Sequence, residues 1–307
     1  MIHHSILARF RKIVPSLLAW HRANQRSFIW RGLKRSPYVV LVSEFMLQQT
    51  GAKQVENHLP EFLRRFPTVK KLAAASRPEV IRAWQGLGYN RRAINLHSAA
   101  KAIAAKGRFP KELKGLQGLR GVGIYTASAV LAFAYNADVP VVDVNIERVL
   151  SRLWKQMPDT HSTLPIRDVF DLDRLILPKG HSSAWHEALM DLGATVCTKQ
   201  VPQCEVCPLR PCCPSGRGKK MHSAHIHTNR EARYFGEPRR IWRGRILQHI
   251  SKNENITKRA LLAHLKKRYA IFEPSFVPFV ASVLRMLIEE GFVTQTKKRA
   301  FHLANHE

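Results

Sequence analysis

The chain has 307 residues, of which 45% are hydrophobic and 23% are charged, which is typical of two or three domains with cores of their own. Its 50 Lys and Arg residues outnumber the 22 Asp and Glu residues and give a formal net charge of +28. This excess favours a polyanion, above all nucleic acid, over a merely solvated basic surface. No stretch reads as a membrane span or a secretory signal. We expect no membrane partner, a cytoplasmic location and a monomer.

The first 134 residues predict an all-α fold. Short amphipathic segments are separated by Gly, Pro and Asn, and residues 39–49 place apolar side chains at the spacing of a helix face. Pro67, Pro78 and Pro110 each fall near the first turn of an expected helix. The chain must return after residue 143 to pack against its own N-terminal part, which predicts two helical lobes.

The sequence SEFMLQQT, residues 43–50, contains a glutamate on an otherwise apolar helix. Burying an ionised carboxylate is expensive unless the group is paired or can take up a proton. Glu44 would therefore suit a general acid, for which burial favours the protonated form near neutral pH. The alternative is a surface glutamate at a helix end.

Glycines cluster in the sequence LQGLRGVG, residues 116–123, between two predicted helices. Gly118, Gly121 and Gly123 permit backbone conformations that are closed to other residues and allow close approach of a ligand. The turn opens a helix, whose free N–H groups and positive dipole end can hold a phosphate. We predict that these glycines and Val122 contact a phosphate backbone; a plain helix–helix connection is the alternative.

Asp143 follows the apolar run 139–142 and precedes the predicted helix 146–154. Its ordinary structural role would be the N-cap of that helix, a position that Asp fills well. Asn145 could serve as the cap instead, which would leave the Asp143 carboxylate free for chemistry.

Four cysteines occur in a window of 17 residues with the spacing C-x6-C-x2-C-x5-C. Thiolates at this spacing can converge on a [4Fe-4S] cluster, with one sulfur on each iron. Structural zinc usually takes two close pairs of ligands, whereas only one close pair is present, and disulfides would need an oxidising compartment. The spacing favours a cluster with the ligands Cys197, Cys204, Cys207 and Cys213. Cys212 is adjacent to the last of them and could replace it.

The C-terminal third differs in composition. Residues 214–238 are rich in Lys, Arg, Gly and Pro and predict a basic linker that touches a phosphate backbone. Residues 239–307 contain three predicted helices (239–250, 258–269 and 274–290) and a hairpin that turns on residues 296–298. This order suggests a winged-helix-like module; a protein-docking domain is the alternative.

The pattern L-x-G-V-G-x-Y-T-A at the glycine-rich turn resembles the helix–hairpin–helix DNA glycosylases that contain an iron–sulfur cluster. The residues around Glu44 resemble the A/G-specific adenine glycosylases (MutY type) among them. The resemblance covers roughly residues 8–214. It implies a two-lobed glycosylase domain over residues 1–213, with the cluster loop at residues 197–213 and double-stranded DNA that carries a mismatch or lesion as the partner.

The resemblance also implies roles for the candidate catalytic residues. Glu44 would protonate N7 of adenine and then activate a water molecule, and Asp143, with Asn145 beside it, would stabilise positive charge at the sugar C1′. Relatives that nick the strand carry a lysine where this chain has Tyr125. An amine forms a Schiff base and a tyrosine cannot, so we expect a monofunctional enzyme.

The substrate-binding residues are likewise implied by the resemblance. Arg26, Phe28 and Trp30 would line the pocket of the extruded adenine, and Glu187 would pair with its edge. The aromatic pair could equally be core residues. A second group would form the wedge that enters the base stack opposite the flipped base; it consists of Gln49, Leu87 and Tyr89.

The chain departs from the family pattern at three places, where Gly51-Ala52 follows Thr50, Val144 replaces a common glycine and Asn90 replaces a frequent tyrosine. We also expect the short basic module to stand in place of the larger C-terminal domain with which many relatives read 8-oxoguanine. We expect an adenine glycosylase that acts opposite 8-oxoguanine or guanine. One alternative removes thymine or uracil from mismatches with guanine, and another is a non-catalytic iron–sulfur regulator.

Overall fold

The computed structural model describes residues 4–33, 35–155, 159, 161–217, 231–253 and 255–305. The part of the predicted basic linker at residues 218–230 lies outside them. The described chain forms two compact units: unit 1 comprises residues 1–41, 110–118 and 122–227, and unit 2 comprises residues 42–109, 119–121 and 228–307. None of the described helices is long and apolar enough to cross a membrane.

The described residues are mainly helical, as the sequence predicts. In chain order the N-terminal two thirds contain α1 (His4–Asn24), α2 (Ile29–Gly32), α3 (Pro37–Leu47), α4 (Ala52–Arg65), α5 (Val69–Ala74), α6 (Arg77–Ala83), α7 (Arg91–Ala105), α8 (Leu113–Gln117), α9 (Ile124–Tyr135), α10 (Val144–Trp154), α11 (Ile166–Ile176), α12 (Ser182–Thr195) and α13 (Pro214–Arg217). Short 3-10 turns occur at Cys204–Val206 and Arg210–Cys212.

Unit 1 is built on α10, α11 and α12, with α1 packed beside them. The apolar faces of these helices enclose the fully buried Trp185 and Leu150. Partly buried cysteines of the segment after α12 pack against the same core. The predicted cluster loop is thus attached to the principal core of its unit.

The C-terminal residues contain the predicted helices and hairpin. These are β1 (Arg233–Tyr234), β2 (Glu237–Pro238), α14 (Arg239–Lys252), β3 (Ile256–Thr257), α15 (Lys258–Tyr269), α16 (Phe276–Glu289), β4 (Val293–Gln295) and β5 (Ala300–Leu303). The last three strands form an antiparallel sheet in the order β3-β5-β4, with Thr294 opposite His302. The chain order α14-β3-α15-α16-β4-β5 is that of a winged helix.

This C-terminal part shares a core with the earlier helices of unit 2. Trp242 of α14 and Ile81 of α6 are both fully buried in one apolar cluster, against which Ile94 of α7 also packs. Residues 239–305 therefore contribute directly to the packing of α6, so their removal would expose apolar surface of the remaining unit.

Ile81→Ala tests this shared core. We expect a loss of about 2–5 kcal/mol in the free energy of unfolding, because the truncation leaves a cavity between α6 and α14. Urea unfolding followed by circular dichroism measures it. The control is Ile288→Ala on α16, where the side chain is 37% exposed and the change should stay within about 0.5 kcal/mol. Equal small losses in both variants would contradict a shared core.

Candidate active site

Asp143 is the N-cap of α10. Its Oδ1 accepts hydrogen bonds from the backbone N–H groups of Asn145 (2.9 Å) and Ile146 (2.7 Å). Asn145 is inside the helix, so it is not the cap. Its side-chain Nδ2 instead donates to Asp143 Oδ2 at 2.9 Å. The half-buried carboxylate is thus fixed by three donors, and each oxygen of a carboxylate has two acceptor positions, so acceptor capacity remains for a ligand.

Asn145 is itself held by the next turn of α10 and by α12. Arg148 Nη2 donates to Asn145 Oδ1 at 2.9 Å and to the carbonyl of Gly193 at 2.7 Å. A Cβ at Gly193 would lie 2.7 Å from the Cβ of Asn145. Only glycine therefore allows α12 to approach this closely.

The segment before Asp143 is anchored by a buried polar network that sequence patterns do not predict. Asp173, which is fully buried, accepts hydrogen bonds from the backbone N–H of Val141 (3.1 Å), His186 Nε2 (2.8 Å) and Trp185 Nε1 (2.9 Å). Because these partners lie 12 to 32 residues away in sequence, the contact is tertiary. It fixes the chain two residues before the cap.

Glu44 lies on α3 and is 6% exposed, with the fully buried Phe45 and Met46 next to it. It is therefore a buried residue of unit 2, and the alternative of a surface glutamate is wrong. Burial beside apolar neighbours is an environment that suits a general acid.

The predicted pocket residues of unit 1 form a charged cluster around two carboxylates. Arg26 Nε lies 2.6 Å from Asp191 Oδ1, and Arg31 Nη1 lies 2.7 Å from Asp191 Oδ2. Glu187 lies 3.4 Å from Arg31 Nε and 3.2 Å from Arg35 Nη2. Arg31, Arg35 and Asp191 were not anticipated from the sequence, since each is paired with a residue 152 to 165 positions away.

Asp191 is the buried centre of this cluster. Burial opposes its ionisation, but hydrogen bonds from His21, Arg31 and Arg26 outweigh that effect and hold the pKa of its carboxyl group well below the usual range. The Arg26 guanidinium is thus already paired with the carboxylate of Asp191. Phe28 and Trp30 are stacked on each other, with ring centroids 4.6 Å apart and planes at 9°.

The predicted wedge residues of unit 2 differ in exposure. Tyr89 is 47% exposed and Gln49 is also exposed, whereas Leu87 is only 4% exposed and packs inward. Both exposed residues have left-handed backbone conformations, with φ of +59° at Gln49 and +46° at Tyr89. Non-glycine residues rarely adopt these conformations, which recur at ligand sites.

The glycine-rich turn connects α8 and α9 as predicted. Gly118 is the C-cap of α8 and Gly123 is the N-cap of α9. Because glycine has no side chain, Gly123 cannot accept a hydrogen bond from the first N–H groups of α9. Gly121 has φ of +79°, and a Cβ there would lie 2.7 Å from the Cβ of Asn95 in the same unit. The side chain of Val122 is buried.

Tyr125, in the first turn of α9, is half-buried against an apolar cluster that includes Ala129.

Four cysteine side chains line one cavity in unit 1. They are the four predicted ligands, Cys197, Cys204, Cys207 and Cys213, and Cys212 is not among the described lining residues. All five cysteines, which are all described, are free thiols. Within the described residues, no group of His, Cys, Asp or Glu side chains is arranged to hold a single metal ion.

The chemistry of the cavity suits a multi-iron group. Burial raises the pKa of Cys207 to about 12 and also raises the pKa of Cys204 and Cys213, so a bound cation is needed to keep these sulfurs as thiolates. Arg152 Nη1 lies 3.3 Å from Cys197 Sγ. A volume ringed by four sulfurs and one guanidinium fits a polynuclear cluster of negative total charge.

Residues 42–165 match the model of the HhH-GPD superfamily of base excision DNA repair proteins. Among solved structures, a thermostable thymine-DNA glycosylase superposes with a TM-score of 0.62 at 26% identity, covering 68% of this chain and 97% of that one. An Endonuclease III in a non-covalent DNA complex superposes at 0.57 with 24% identity, which supports the fold alone. These matches define the class as a helix–hairpin–helix protein of this superfamily.

Curated relatives narrow the class further. The adenine DNA glycosylase of Mycobacterium tuberculosis is 41% identical over 227 residues, which cover 71% of this chain and 75% of that protein. That of Mycolicibacterium smegmatis is 40% identical over 248 residues, covering 80% and 83%. The human adenine DNA glycosylase is 38% identical over 208 residues, which cover 64% of this chain and 38% of that protein. The chain belongs to the adenine DNA glycosylase family.

Proposed function

We propose that this protein hydrolyses the N-glycosidic bond of adenine mispaired with 8-oxoguanine or guanine, as a base excision repair enzyme acting on double-stranded DNA. The observation that carries the proposal is the buried carboxyl group of Glu44 on α3. An adenine leaves readily only when its ring takes up a proton, and a buried carboxyl group suits that transfer.

The chemistry divides between two carboxyl groups. Glu44 donates a proton to adenine N7, which makes the base a better leaving group, and afterwards accepts a proton from the attacking water. Positive charge develops at C1′ as the bond breaks. Asp143 stabilises that charge, because its carboxylate is already fixed by Asn145 and the N-terminus of α10 and needs no reorganisation.

Water is the nucleophile in this scheme. Tyr125 stands where strand-nicking relatives carry a lysine, and a phenol does not form the Schiff base that cleaves the backbone. The enzyme is therefore monofunctional and leaves an abasic site.

Recognition of the extruded base is assigned to the charged cluster of unit 1. Glu187 accepts hydrogen bonds from the base edge, while Arg31 and Arg35 hold its carboxylate in place. The stacked rings of Phe28 and Trp30 provide an apolar surface. Arg26 acts indirectly, because its guanidinium is bound to Asp191.

The duplex is held by backbone contacts and opened by a wedge. The N–H groups at Gly121, Val122 and Gly123 bind a phosphate at the start of α9. Gln49 and Tyr89 enter the base stack opposite the extruded nucleotide. Leu87 supports them from the core. Further phosphate contacts come from exposed basic residues of α15 and of the turn between β4 and β5, namely Lys258, Arg259, Lys267, Arg268, Lys297, Lys298 and Arg299.

Cys197, Cys204, Cys207 and Cys213 would hold a [4Fe-4S] cluster in the cavity that they line. Their four thiolates would then cross-link the loop. Arg152 stabilises the negative charge by its position beside Cys197.

Incubation of the protein with labelled duplexes containing A:8-oxoG, A:G, T:G or U:G, followed by alkali, tests the substrate. Cleavage at adenine in the first two duplexes is expected. Cleavage only at T:G or U:G would instead establish the pyrimidine-specific alternative, and binding without cleavage of any duplex would favour the regulator.

Asp143→Asn should lower the single-turnover rate of adenine excision by roughly 10²–10³-fold while duplex binding is kept, because the charge facing C1′ is lost. Glu44→Gln should be similarly inactive, since an amide cannot deliver the proton. The matched control is Glu147→Gln, also in the first turn of α10, which should keep near-normal turnover. Near-normal turnover of Asp143→Asn would remove that residue from the chemistry.

Tyr125→Lys should add strand-nicking activity, because an amine then lies within reach of C1′. Borohydride trapping of a covalent protein–DNA adduct is the measurement, with the unchanged protein as the control. A variant that binds DNA but gives no adduct would show that position 125 does not face the sugar.

Cys213→Ser should lower the iron and sulfide content of the purified protein substantially, whereas Cys212→Ser should leave both unchanged, because only the first side chain lines the cavity. Metal analysis measures both variants. An equal loss of iron in the two variants would mean that either cysteine can serve as the fourth ligand. Stoichiometric zinc in the unchanged protein, without sulfide, would exclude the cluster.

A further inference from the structure

The two loops that carry the proposed wedge residues both bind one buried side chain. The wedge loops are residues 48–50, at the end of α3, and residues 86–89, before α7. Between them lies the guanidinium of Arg92, which is only 7% exposed. All three segments belong to unit 2. Within the described part of the chain, the Arg92 side chain donates hydrogen bonds to carbonyl oxygens and one hydroxyl, and to no carboxylate.

The acceptors of Arg92 come from both wedge loops. From the first side, Nη1 donates to the carbonyl oxygens of Phe45 (2.9 Å), Met46 (2.8 Å) and Gln48, and Nη2 donates to Thr50 Oγ1 (2.8 Å). From the second side, the carbonyl oxygens of Leu87 (3.2 Å), Gly88 (3.0 Å) and Tyr89 (3.3 Å) accept from Nη2 or Nε. One side chain thus joins the end of α3 to the loop before α7.

These contacts surround the two strained residues. Gln49 lies between acceptors at positions 48 and 50, and Tyr89 supplies its own carbonyl. Left-handed φ values at such residues persist only where surrounding contacts enforce them. The guanidinium also lies 5.5 Å from the centre of the Tyr89 ring and 5.3 Å from that of Trp84, so it restrains the aromatic side chain as well as the backbone.

Hydrogen bonding to both wedge loops at once requires an arginine at position 92. A guanidinium offers five N–H donors in a rigid plane, whereas a lysine ammonium has three donors at one point and cannot reach acceptors on both sides. Burial lowers the pKa of Arg92 to about 10, so the group keeps its charge under ordinary conditions. Removing it would leave several buried carbonyl groups without a donor.

We infer that Arg92 is a positioning residue that fixes Gln49 and Tyr89 in their DNA-entering conformations before DNA is bound. The inference rests on the proposed function, in which these two residues form the wedge. Arg92 itself need not touch DNA. It acts on extrusion of the base and not on cleavage of the glycosidic bond.

The test separates extrusion from chemistry by comparing two substrates. One is a duplex with A:8-oxoG. The other carries the same adenine in a single-nucleotide bulge, where it is already unpaired. In single-turnover assays, Arg92→Lys should reduce excision from the paired duplex by about tenfold or more relative to the bulge, because small displacements of positioning groups have effects of this size. A fluorescent 2-aminopurine next to the target should show less unstacking on binding.

Two further variants protect the comparison. Thr50→Val keeps the side-chain volume but removes the hydroxyl that accepts from Arg92 and donates to the carbonyl of Leu87, and it should shift the ratio of the two rates in the same direction by less. It decides the question if Arg92→Lys does not fold. Ser76→Ala, which removes the capping box of α6 in the same unit, should lower the melting temperature without changing the ratio.

Equal losses on both substrates, or unchanged unstacking in a folded Arg92→Lys protein, would overturn the inference. Failure of the proposed function would look different. In that case the unchanged protein would excise adenine from neither substrate, and the 2-aminopurine signal would still report whether the variant inserts its wedge.

Discussion

Buried guanidinium groups that donate to backbone carbonyls are the interaction on which both units depend. Arg92 in unit 2 and Arg148 and Arg152 in unit 1 are all buried, and carbonyl oxygens are prominent among their acceptors. In a chain with 50 basic and 22 acidic residues, carboxylates are outnumbered as partners for cations. Carbonyl groups at the ends of helices are the available alternative, since the last carbonyls of a helix have no partner within it.

This arrangement places each arginine at a functional segment. Arg148 reaches Asn145, which holds Asp143, and it also donates to the carbonyl of Cys197 at 2.8 Å. Arg152 donates to the carbonyl of Thr198 at 2.9 Å, directly after that cysteine. The proposed catalytic carboxylate and the proposed cluster loop are therefore connected through neighbouring turns of α10. Loss of either arginine would leave buried acceptors unpaired, with a cost of about 1–3 kcal/mol for each.

Local patterns predicted most of the fold and part of the site. Helical periodicity and the glycine-rich turn located α3, α8 and α9, and the final hairpin formed at the expected residues, because these features depend on neighbours in sequence. The local sequence offered both Asp143 and Asn145 as the N-cap of α10, and the structure shows that Asp143 is the cap. The exposure of the wedge residues was not predictable in this way. Leu87 is buried because it packs within unit 2, a property that no local pattern encodes.

The residues that sequence reasoning missed are those whose partners are distant. Asp173 and Asp191 read as ordinary acidic positions on amphipathic helices, yet both are fully buried and bind several donors. A single sequence gives no means of pairing Arg31 with a residue 160 positions away. The composition does weakly indicate such buried carboxylates. In so basic a chain, a carboxylate on the buried face of a helix has many cations available as partners.

The two classes of charged residue have different tasks. Carboxyl groups are few, and two of them, Glu44 and Asp143, are assigned to the proton transfer and the charge stabilisation of the proposed reaction. Arginines are abundant, and the buried ones fix the backbone of segments that must keep unusual conformations, such as the left-handed residues Gln49 and Tyr89. A carboxylate could not replace Arg92, because a carboxylate only accepts hydrogen bonds and the loop ends there offer carbonyl acceptors. The basic composition that first indicated a nucleic-acid partner thus also supplies the donors that shape the surface proposed to meet it.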